Sequence, residues 1–149
     1  MSLESGRMDK TRFRLESMKE AMGKIVVDVT VSTLSEDGRI VAFDAFVDTG
    51  ATFLTLPSAW KSKLGDIEVL EQVELELASG EIVEGEICGP VKINIGDFRQ
   101  IAGEVLFIER DAGADGKYEP LIGYLPLEAI PAGVDMLNHR LFKVKAMLK

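Results

Sequence analysis

The chain has 149 residues, 46% of them hydrophobic and 28% charged, a size and balance suited to one folded domain with a sizeable core. Its formal net charge of −8 argues against a nucleic-acid partner, which needs clustered Lys and Arg, and against anionic membrane surfaces. Cys88 and His139 are the sole members of their types, so no intrachain disulfide or thiolate metal cluster can form and zinc is short of ligands. Any chemistry must then rest mainly on carboxylates, and no metal or organic cofactor is implied.

Residues 1–22 have no clean period and read as an N-terminal arm or short element; Met8 is an alternative start, residues 1–7 then being an appendage. No apolar h-region and no run of 18 apolar residues is present, so the expectation is a cytoplasmic protein without a secretory signal or membrane helix. Residues 23–149 read as one domain without repeat or linker. Residues 25–31 and 40–47 are rich in β-branched and apolar types, and the turn Ser35-Glu36-Asp37-Gly38 between them predicts a hairpin.

The second of these strands runs into Asp48-Thr49-Gly50-Ala51-Thr52 and then the apolar Phe53-Leu54-Thr55-Leu56. Pro57 near the start and Gly65 at the end bracket a short helix over residues 57–64. Residues 69–77 and 81–95 alternate around Ala78-Ser79-Gly80 and predict a long, protruding hairpin. A strand over 101–108 follows, then a loop by composition at 111–116, where Asp111 and Asp115 lack the spacing of a calcium loop. Leu121-Ile122-Gly123 is a short strand before a helix at 126–130, and residues 134–137 and 141–148 flank the turn-like Asn138-His139. Short strands at close spacing, with no βαβ alternation, predict an all-β fold: a closed or partly closed barrel with one or two short helices.

An Asp at a strand end followed by Thr and Gly has a physical use. Gly50 allows a tight turn that brings its N–H near a carboxylate, the Thr49 hydroxyl can reach a neighbouring backbone, and Ala51 and Thr52 keep the next turn small. As a bare tripeptide the pattern is an ordinary turn; its context is more specific. Phe46-Val47-Asp48-Thr49-Gly50-Ala51-Thr52, the hairpin at Ala78-Ser79-Gly80 and Leu121-Ile122-Gly123 before a helix come in the order found in retropepsin-like aspartic peptidases, which residues 24–148 resemble. The resemblance implies an acid-protease barrel, Asp48 as the catalytic carboxylate, a flap at Ala78, Ser79 and Gly80, and Leu121, Ile122 and Gly123 packed under the catalytic loop. Two departures stand out: Gly123 continues into Tyr124-Leu125-Pro126 rather than Arg or Asp and Leu, and the flap tip has only Gly80.

Aspartic peptidases use two carboxylates that share one proton, and the chain has a single Asp-Thr-Gly. The expectation is therefore a homodimer contributing one Asp48 from each chain, cleaving extended polypeptide at a mildly acidic optimum. A dimeric β-barrel of the same fold that binds extended peptides, or acts as an assembly module without cleaving them, is the alternative. A Cys88 hydrolase has only His139 to serve as its base.

Overall fold

Seven residues of β2 (Val26–Ser32) pair antiparallel with β3 (Ile40–Val47), from Val26↔Phe46 to Ser32↔Ile40. β3 is apolar at nearly every position, so it suits a strand covered on both faces, and it is buried from Val41 to Phe46. The computed structural model describes residues 24–35, 38–77, 79–109 and 119–145, together with the backbone of β1 (Lys10–Phe13). The possible start at Met8, Ala78 of the expected flap and the loop at 111–116 lie outside the described residues.

The remaining strands are β4 (Leu54–Pro57), β5 (Val69–Glu76), β6 (Ile82–Ile95), β7 (Ile101–Ile108), β8 (Leu121–Ile122), β9 (Ala132–Asp135) and β10 (Arg140–Lys143). One sheet runs β1-β3-β2-β6-β7-β4-β8, and β8 also pairs with β3, so six strands return on themselves as a ring. The chain is thus predominantly β. β5 hangs off this path, bonded among the described residues to β6 alone, and β9 and β10 form a separate antiparallel pair.

β6 serves two neighbourhoods because it is 14 residues long. Its first half pairs with β5 from Cys88 to Ile82; its second half pairs with β2. The register with β7 shifts between Cys88 and Val91, where Pro90 has no N–H to give the ladder. The described residues also form two short helices: a 3-10 helix at Ser58–Leu64, flanked by Pro57 and by Gly65 at φ +79°, and α1 (Tyr124–Ala129). No described helix is long and apolar enough to cross a membrane.

The core lies inside the ring. Phe43, Leu54, Leu56, Ile93, Ile95, Phe107 and Ile122 are all but inaccessible to solvent. Each is worth about 1.5–3 kcal/mol relative to exposure. Trp60 projects from the 3-10 helix into this core, its ring centroid 5.4 Å from that of Phe43, so it anchors packing rather than a partner. Cys88 is equally buried, and desolvation pushes its thiol up from the usual range, which makes it a small core residue.

Candidate active site

Asp48 follows the last residue of β3, where the strand leaves the ring and its backbone is still tied to neighbours. The Val47 N–H donates to the Ile25 carbonyl at 2.9 Å, and the Asp48 N–H donates to the Ile122 carbonyl at 2.9 Å. The side chain is half-buried. The turn closes on itself: the Ala51 N–H donates to the Asp48 carbonyl at 3.0 Å, and the Gly50 N–H donates to Asp48 Oδ1 at 2.9 Å. One carboxylate oxygen is therefore fixed by a backbone donor. A Cβ at Gly50 would stand 3.2 Å from that oxygen, closer than the contact comfortably allows.

Residues 121–125 clamp this loop from below. The Gly123 N–H donates to the Phe53 carbonyl at 3.0 Å, Tyr124 to Ala51 at 2.9 Å and Leu125 to Thr52 at 3.0 Å. Three consecutive donors thus meet three consecutive carbonyls of the loop. They can approach because residue 123 has no side chain: a Cβ there would come within 2.5 Å of the Thr52 carbonyl carbon, 2.6 Å of the Phe53 oxygen and 2.7 Å of the Ala51 oxygen. Gly123 has ordinary extended dihedrals, so its role is steric rather than conformational. The same residues begin α1, which joins loop and helix into one backbone unit.

Thr49 behaves differently from the expectation of a hydroxyl that locks the loop. It is exposed and has no hydrogen-bond partner among the described residues; the lock is made of backbone groups. Gly50 and Thr52 are also exposed. The edge of the loop that carries Asp48 therefore faces outward, next to Tyr124 and Leu125, which are each 42% exposed.

The hairpin of β5 and β6 is tied at its tip by two bonds, Leu77 N–H to the Glu81 carbonyl and Gly80 N–H to the Leu77 carbonyl, both 2.8 Å. The Ser79 hydroxyl accepts from the Glu81 N–H at 3.3 Å, and Gly80 has φ +88° with open space around it. One face of the hairpin carries Val73 and Leu75, which pack with Ile87, Leu106, Ile108 and Phe53. Phe53 ends the Asp48 loop, so this cluster links hairpin to loop. Local pattern singled out the loop and the hairpin separately; it had no signal for Phe53, whose partners are distant in sequence.

The other chemistry-bearing side chains lie apart. His139 sits at φ +53° in the exposed turn between β9 and β10. That turn is held by Asp135, which accepts from the Asn138 side chain at 2.8 Å, the backbone N–H groups of Leu137 and Asn138 and, at 3.3 Å, Arg140. Those donors, the Asn138 amide first, hold the Asp135 carboxyl below the usual carboxylate range. Among the described residues no cluster of His, Cys, Asp or Glu is arranged to hold a metal ion. No protein-family model and no curated protein matches the chain.

Proposed function

We propose that the chain is one half of a homodimeric aspartic endopeptidase, its ring of strands being the partly closed barrel of the retropepsin-like family. The observation that carries the reading is the pinned, half-buried Asp48 on an exposed loop: one oxygen held by the Gly50 N–H, the loop clamped by Gly123 and its neighbours, and Thr49, Gly50 and Thr52 open to solvent beside it. Two such carboxylates brought together across a twofold axis hold one proton between them. The ionised one takes a proton from a water whose oxygen attacks the scissile carbonyl carbon, while the protonated one donates a hydrogen bond to the carbonyl oxygen. Collapse of the tetrahedral intermediate breaks the C–N bond, and the amine leaves with a proton from the carboxyl pair.

The β5–β6 hairpin, with Ser79 and Gly80 at its tip, is the flap in this reading, its apolar face bordering the cleft through Phe53. It excludes water and offers backbone bonds to an extended polypeptide. The experiment is a cleavage assay on an unfolded protein mixture. The wild type should produce fragments and Asp48→Asn none, with unchanged thermal unfolding; equal cleavage by both would remove the mechanism.

A further inference from the structure

The opposite face of the same hairpin has a composition of its own. Of the 25 acidic residues, eight lie in residues 66–86, which contain no Lys or Arg; the other 17 are matched by the 17 Lys and Arg elsewhere, so the net charge of −8 is that of this segment. Alternation along β5 puts Val73 and Leu75 on the Phe53 side and Gln72, Glu74 and Glu76 on the other. In register, Gln72 faces Glu86 and Glu74 faces Glu84. Directly opposed like charges on neighbouring strands are destabilising.

Protection of an exposed sheet edge accounts for acidic residues on β5 but not for those on β6, which has a strand on each side at this level. Glu74, Glu84 and Glu86 instead line a groove of about 340 Å³ with Gln72, Ser58 and Glu109. One ammonium already lies there: Lys61, from the 3-10 helix, reaches Glu86 at 2.6 Å. Glu74, Glu84 and Glu109 have no cationic partner among the described residues. Beside the groove, all of β5 offers a second, open edge, since among the described residues it pairs with β6 alone.

We propose that this acidic face and the open edge of β5 form a docking site for an extended, Lys- and Arg-rich polypeptide. The guest strand adds its backbone to β5, and its cationic side chains lie beside Glu74, with Glu84 and Glu109 further across the sheet adding to the attracting field. Backbone pairing supplies affinity without sequence preference, and the carboxylates select for charge and speed encounter at low salt. Neither Phe53 nor Asp48 lines the groove, so the site is separate from the proposed catalytic centre.

The test uses the full chain with Asp48→Asn, so that cleavage is not in play. Fluorescence anisotropy follows a labelled peptide of alternating Lys and Thr, its counterpart with Glu for Lys, and a Lys peptide with alternate backbone amides N-methylated. The Lys peptide should bind at low salt, weaken about tenfold as salt screens the charges, and lose a further factor of about ten when Glu74→Gln and Glu84→Gln are introduced together. The Glu and N-methylated peptides should not bind. Equal binding of the Lys and Glu peptides, indifference to the double substitution, or full retention by the N-methylated peptide would each overturn the proposal. A wild type that cleaves nothing leaves these outcomes unaffected and counts only against the catalytic reading.

Discussion

Two glycine turns of the molecule are built on opposite terms. At residues 48–53 and 121–125 the two segments are tied together by backbone hydrogen bonds on either side of Asp48, and Gly123 is present because nothing larger fits between Thr52, Phe53 and Ala51. At the hairpin tip, Gly80 is present because φ +88° suits no other residue well, and nothing lies within 4 Å of where its Cβ would be. One turn fixes a carboxylate; the other is held only by its own two strands. A site that must position a reacting group and also admit a polypeptide needs both kinds.

The sharpest way to break that contrast is to add the same methyl group to each turn. Gly123→Ala drives a carbon into backbone that cannot rotate aside, and should destabilise the fold by about 3 kcal/mol or more in urea unfolding. Gly80→Ala meets no neighbour and costs only the strained dihedral, about 1 kcal/mol. Similar losses at both positions would mean that the clamp under the loop is not tight. Gly50→Ala sharpens the comparison within the loop itself. Its methyl displaces Asp48 Oδ1 by a few tenths of an ångström, so stability should change by less than about 1 kcal/mol while cleavage falls steeply. Unchanged cleavage would show that the Gly50 donor does not position the carboxylate.

The smallest expected effect concerns a third turn, between β9 and β10. Asp135 has a depressed folded pKa, so its contribution to stability is present above the ordinary carboxylate value of 3.8 and is lost as pH falls through the folded value. Amide exchange in β9 and β10, corrected for its intrinsic pH dependence, should therefore lose protection below that pH. Asp135→Asn should remove the dependence. Protection that stays flat with pH in the parent protein would contradict the role given to this carboxylate.

Much of the fold was legible locally. The β-branched runs gave β2 and β3 within a residue of their bounds, β7 was read at 101–108 and stands there, and Pro57 and Gly65 bracketed the 3-10 helix. The second helix begins earlier than read, at Tyr124 rather than Pro126, because its first N–H groups bond the Asp48 loop across the fold. Such long-range contacts leave no periodic trace. The parallel pairing of β1 with β3 was illegible for the same reason, lying in a segment without a period. The hairpin was plain from alternation, but its two characters were not: which face meets Phe53, and that Lys61 reaches Glu86 from 25 residues away, depend on contacts between elements distant in sequence. Asp48 was legible as a residue, and the backbone clamp that holds it was legible only through the family resemblance at Gly123.

The central claim is that catalysis needs two Asp48 carboxylates, one from each chain, and subunit mixing tests it most directly. Equal amounts of wild-type and Asp48→Asn chains, exchanged to equilibrium and assayed at a fixed total concentration, should retain about a quarter of the wild-type cleavage rate, because only that share of dimers carries both carboxylates. Retention of about half, the result for carboxylates acting singly, would contradict the account.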